Sequence, residues 1–145
     1  MSYIKDNLMK DEKIITDGKV HWFIFIPSIV FLLIGLIVPS EIFLVKFILI
    51  TASIIMLIKA FFAFISTELA VTTKRVIAKF GFIKRDTIEL NHTKVESFNV
   101  NQGVFGRIFG FGTITINGTG GVKTPIPSII NPMDFRRKAI EQIEL

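Results

Sequence analysis

Two apolar runs separated by three residues limit what this sequence can fold into. The first spans Trp22 to Val38 (WFIFIPSIVFLLIGLIV) and contains no charged side chain. As a helix it rises about 25 Å, near the lower limit for crossing the hydrocarbon core of a bilayer. The second spans Ile42 to Ile65 (IFLVKFILITASIIMLIKAFFAFI) and is long enough to cross with tilt. Only Pro39-Ser40-Glu41 lies between them, which predicts a tight antiparallel hairpin of two transmembrane helices. Burying both runs in a soluble core would need a larger protein than 145 residues supply. Lys46 and Lys59 lie near the ends of the second run and are expected to snorkel to the interfaces. A transporter or channel role would rest on these two lysines alone, since neither run holds an acidic partner. A cleaved signal peptide does not fit the first run. Asp6, Asp11, Glu12 and Asp17 precede it, no small-residue exit follows, and the second run comes at once.

Loop charge sets the expected orientation. Lys5, Lys10, Lys13 and Lys19 precede the first run, the turn holds no Lys or Arg, and Lys74, Arg75, Lys79, Lys84 and Arg85 follow the second. The positive-inside rule then predicts a multi-pass protein of the cytoplasmic (inner) membrane with both termini cytoplasmic. The expected organisation is a cytoplasmic N-terminal segment (1–21), a transmembrane hairpin (22–65) and a cytoplasmic domain (66–145). His21 and Trp22 would mark a membrane interface. With 50% hydrophobic and 20% charged residues the chain is too apolar for disorder. The absence of cysteine excludes disulfide scaffolds, thiolate metal centres and cysteine nucleophiles.

From Ser66 onward the apolar period changes to that of strands. Glu68–Val71, Val76–Phe80, Phe82–Ile83, Thr87–Leu90, Val95–Val100 and Thr113–Asn117 are rich in β-branched and aromatic residues, with glycines between them. Ile114 and Ile116 alternate with threonines and so face one side. Val122–Ile126 is a weaker strand whose Pro125 suggests an edge. Asn131-Pro132-x-Asp134 is a helix start. Phe135, Ala139, Ile140 and Ile143 then form an apolar stripe that fits against a sheet. The pattern is an α+β domain, an antiparallel sheet or barrel closed by a C-terminal helix.

The segments ELAVTTKRVIAKFGFIKRDTIEL, TKVESFNVNQGVFGRIFGFGTITINGTGG and IPSIINPMDFRRKAIEQI resemble the bacterial pleckstrin-homology (PH) domain family of YdbS/YdbT-like small membrane proteins. The resemblance covers roughly residues 8–142. Its most specific pieces are T-x-x-R-V-I at Thr72–Ile77, G-R-x-x-G-F-G-T at Gly106–Thr113 and the glycines of Gly118–Gly121. It implies a PH-like fold, a bent antiparallel β-barrel capped by the C-terminal helix, and a role in binding rather than catalysis.

The residues themselves offer no catalytic constellation. No Gly-Lys-Ser/Thr phosphate loop exists, and Gly110-Phe-Gly112 leads into a strand rather than a helix. His21 and His92 lie far apart in the chain, outside any metal-ligand spacing. The acidic residues show no paired spacing, and no serine sits in a nucleophile elbow. No enzyme activity, cofactor or metal is therefore expected. Residues 66–145 hold eleven basic against seven acidic side chains. Lys74, Arg75, Lys79, Lys84 and Arg85 form the candidate contact for anionic phospholipid headgroups or a small ligand. The plainer account of these residues is a positive-inside flank, and the usual inositide-binding pattern is missing. Nothing resembles an aromatic-interleaved nucleic-acid surface. Asn91-His92-Thr93 and Asn117-Gly118-Thr119 fit the glycosylation pattern but would be inert in a cytoplasmic domain. Val104, Phe105, Arg107, Ile108 and Phe109 form an apolar stretch with one charge. It either tucks under the barrel or offers a contact surface for another copy or a different membrane protein. The expected function is a membrane-anchored interaction or scaffold module that can self-associate, with a lipid-headgroup sensor as the alternative.

Overall fold

A computed structural model describes residues 3–81 and 85–144. Phe82, Ile83 and Lys84 of the expected strand and basic cluster lie outside the described residues. The chain forms two compact units. One is Trp22–Ile65, and the other joins the stretch up to His21 with everything from Ser66 onward.

The first unit is helical. A 3-10 turn at Trp22–Phe25 leads into helix α2 (Ile26–Ile37), with Pro27 in its first turn, where a missing N–H costs nothing. A second 3-10 turn at Ser40–Ile42 leads into α3 (Phe43–Ser66). The two helices form an antiparallel pair. The Phe25 and Phe64 rings stand 5.4 Å apart, centroid to centroid. Near the turn Gly35 lets the backbones approach, since a Cβ there would lie 3.0 Å from Ile50 Cγ1. The buried Ser28 and Ser53 hydroxyls each donate to a carbonyl three residues back, on Phe25 and Ile50, at 2.7 Å. Among the described residues one helix, Ser40–Ser66 with its 3-10 turn, is long and apolar enough to cross a membrane, an 18-residue stretch of it having mean hydropathy 2.5. The first apolar run yields only the shorter helical stretch Trp22–Ile37, because Pro27 delays the α-helix and Val38-Pro39 ends it. Outward-facing Ile37, Phe43, Leu44 and Ile48 leave this unit with an apolar exterior.

The second unit carries two antiparallel sheets. Strands β1 (Ile14–Gly18), β2 (Glu68–Thr72), β3 (Arg75–Phe80) and β4 (Asp86–Asn91) form one, in that order. Strands β5 (Val95–Asn101), β6 (Phe111–Gly118) and β7 (Val122–Ile130) form the other. Where the sequence suggested one bent barrel, the described residues form two sheets, linked by a single isolated bridge between Val20 and Ile129. Helix α5 (Pro132–Glu144) follows β7. Its buried Phe135 and Ala139 join Leu69, Val71, Val76, Phe98, Ile114, Ile116, Ile126 and Ile129 among the buried apolar residues. Ile114 and Ile116 share the buried face of β6, as the alternation predicts. Pro125 lies on β7, at the side of its sheet, as its missing donor predicts.

The N-terminal stretch is part of this unit. Strand β1 pairs with β2, with Gly18 opposite Leu69. Helix α1 (Tyr3–Asp6) is capped by Glu68, whose carboxylate accepts from the Tyr3 and Ile4 amides at 3.0 and 3.2 Å. Ile4, with Tyr3, Leu8 and Ile14, covers Ala70 and Ile77.

Candidate functional site

Register divides the β unit into two ends. Glu68 opens β2 directly behind α3, and Gly18 closes β1 just before the chain leaves the unit at His21. Lys79 lies opposite Glu68, and Phe80 opposite Asp86. This is the junction end, where the chain passes into and out of the helical unit. The β2–β3 turn, with Thr73 and Lys74, lies at the far end, where Arg75 pairs with Asn91. The five residue-to-residue steps from Arg75 to Phe80 set the two ends about 17 Å apart.

The five basic residues singled out in the sequence therefore do not form one cluster. Lys74 is at the far end, where its ammonium donates to the Lys10 carbonyl at 2.6 Å. Lys79 is at the junction end, half-buried. Its ammonium lies 3.7 Å from Glu68 Oε1 and 5.1 Å from the Tyr3 ring centroid. Arg85, beside Asp86, is exposed at the same end. Lys84 lies outside the described residues.

Arg75 is buried at the far end. Its Nε and Nη2 donate to the two carboxylate oxygens of Glu12 at 3.0 and 3.1 Å. Nη2 also donates to the Asn7 carbonyl at 2.9 Å, and Nη1 to Glu89. Glu12 further accepts from the Thr72 hydroxyl and the Met9 amide, each at 2.6 Å. Burial opposes the charge on Glu12. The Arg75 hydrogen bonds, the Met9 amide and the Thr72 hydroxyl outweigh it and hold the pKa down to about 2. Glu12 in turn raises the pKa of Arg75 against its burial, with Glu89 adding to the effect. The cluster fastens the N-terminal stretch to β2, β3 and β4. It is a clasp with its donors and acceptors already engaged. Sequence reasoning did not find it, because Glu12 and Arg75 are 63 residues apart. The local signal was a strand-like Ile14-Ile15-Thr16 behind the acidic pair Asp11-Glu12.

The apolar stretch forms helix α4 (Val104–Phe109) between β5 and β6. Its side chains point outward: Val104 is 75% exposed, Ile108 70%, Phe105 64% and Phe109 46%. Arg107 is exposed as well. The inner side of the helix is Gly106, which is buried against β6. A Cβ there would lie 2.4 Å from the Phe111 carbonyl oxygen. Gln102 Nε2 donates to the Gly106 and Phe111 carbonyls at 3.3 and 3.0 Å. Gly110 closes the helix in the left-handed conformation, φ 76°. The Gly106–Thr113 motif thus builds a fixed mount for four exposed apolar side chains.

A third feature lies between β5 and α5. A cleft of about 320 Å³ is lined by Val95, Ser97 and Asn99 on the strand and by Arg136, Ile140 and Ile143 on the helix. Strand β5 is at the edge of its sheet.

The sequence model of the bacterial PH domain matches residues 23–143. No curated protein and no solved structure matches the chain.

Proposed function

The chain belongs to the bacterial PH domain family, and on that premise we propose that it is a membrane-anchored, non-enzymatic interaction module. The helical unit is the anchor and the β unit the binding domain, held at the cytoplasmic face of the inner membrane with both termini on that side. Several features support two spans. The 3-10 turn and α2 together rise about 26 Å, the hairpin exterior is apolar, and the basic residues lie outside the hairpin turn.

The observation that carries the binding role is the edge strand β5 beside its cleft. An edge strand offers a row of backbone donors and acceptors to an added strand, and pockets beside it select side chains. Ile140 and Ile143 supply an apolar floor, while Glu96, Arg136 and Glu144 supply charge at the rim. The occupant is an extended segment of a second copy, whose local concentration the anchor raises. Mass measurement of the full chain in mild detergent tests this. The wild type is expected to exceed one chain, and Ile143→Glu to fall toward a single chain without loss of thermal stability. A single-chain mass for the wild type would remove self-association from the account. An unchanged mass for the variant would move the contact away from β5. A headgroup-binding role has narrower support, since the described members of the basic group are divided: Lys79 and Arg85 lie at the junction end, Lys74 and Arg75 at the far end.

A further inference from the structure

We propose that α4 is a wedge that enters the headgroup–acyl boundary of the bilayer, an inference that rests on the membrane anchor proposed above. Three observations converge on it. Val104, Phe105, Ile108 and Phe109 are all large, apolar and exposed, on a helix short enough to seat within an interface 5–10 Å deep. Their mount is rigid, because Gly106, Gln102 and Gly110 fix the helix to the start of β6.

The third observation is position. The His21 ring lies 5.3 Å from the Phe111 ring, centroid to centroid, and the His21 amide donates to the Ser128 carbonyl at 2.6 Å. Phe111 directly follows Gly110, the cap of α4. The next residue after His21 is Trp22, a residue type that favours the interface. The apolar wedge therefore stands at the junction end of the β unit, where the chain turns into the apolar helices. At the opposite end the β6–β7 turn carries Thr119, Gly120 and Gly121, which are small or polar. Arg107 is the one charge on α4. It suits the phosphate level of an anionic leaflet, its stem lying along apolar surface and its head in the polar layer.

The chain has no cysteine, so single introduced thiols can report depth. An environment-sensitive fluorophore is placed on Ile108→Cys, on Thr119→Cys and on Ile55→Cys in α3. Each full-length variant is reconstituted in phosphatidylethanolamine–phosphatidylglycerol vesicles with lipids carrying a quencher at a shallow acyl position. The expected result is several-fold stronger quenching at Ile108→Cys than at Thr119→Cys, together with lipid contact at Ile55→Cys. Quenching at Ile55→Cys with none at Ile108→Cys would overturn the wedge and leave the anchor standing. No lipid contact at Ile55→Cys would overturn the anchor, and the wedge with it. A label at Ile108→Cys that is shielded from aqueous quencher yet insensitive to the lipid quencher would mean that a second copy covers α4, and would also overturn the proposal.

Discussion

Arg75→Met is expected to destabilise the β unit by about 3–5 kcal/mol, because it leaves a buried carboxylate without its countercharge. The Glu12 side chain is wholly buried, and its two oxygens each take one nitrogen of the guanidinium fork. Arg75→Lys should recover little, since an ammonium cannot make both contacts or reach Glu89 and the Asn7 carbonyl together. Replacing Glu12 and Arg75 together by Met should cost much less than Arg75→Met alone, since neither charge is then left unpaired. Thermal unfolding of the full chain in mild detergent reads the series. A fall of more than about 10 °C is expected for Arg75→Met. The pH dependence has a definite sign. The Glu12 pKa is lowered from 4.5 to about 2 in the folded protein, so its stabilising effect is complete above 4.5 and is lost as the pH falls through 2. The wild type should therefore lose stability over that interval, and the double Met variant should lose less.

Gly106→Val is expected to have the second-largest effect. The Cβ position lies 2.4 Å from a backbone oxygen, and backbone cannot swing aside as a flexible side chain can. The cost is about 1–3 kcal/mol, with α4 displaced from β6. Gly103→Ala is the matched control. A Cβ at Gly103 meets nothing within 4 Å, so its effect should stay within about 0.5 kcal/mol. Comparable losses for the two variants would show that the tight approach of α4 to β6 is not what holds the helix.

Much of the β unit was legible in the sequence, because alternation and punctuation are local signals. Val76–Phe80, Thr87–Leu90 and Thr113–Asn117 fall within β3, β4 and β6, and Asn131-Pro132 marks the start of α5. The contribution of the N-terminal stretch was not legible. Ile14–Gly18 is a short strand whose partner, β2, lies beyond the whole helical hairpin, and no local pattern encodes pairing across that interval. For the same reason Arg75 read as one member of a surface basic run. Its spacing to Lys74 and Lys79 is visible in the sequence, but Glu12 and Glu89 are brought to it only by the folded sheet. The apolar stretch at Val104–Phe109 was found from composition alone. Its exposure was not, since that depends on which side of the short helix meets β6, and Gly106 decides it.

Side-specific thiol labelling of the full chain in intact cells tests the central claim, a two-span anchor with the PH-like domain on the cytoplasmic side. Glu41→Cys in the hairpin turn and Lys123→Cys in the β6–β7 turn are each exposed to a membrane-impermeant maleimide, before and after permeabilisation. The account predicts that Glu41→Cys reacts in intact cells, whereas Lys123→Cys reacts only once the membrane is opened. Equal behaviour of the two thiols, both reactive or both protected before permeabilisation, would contradict it.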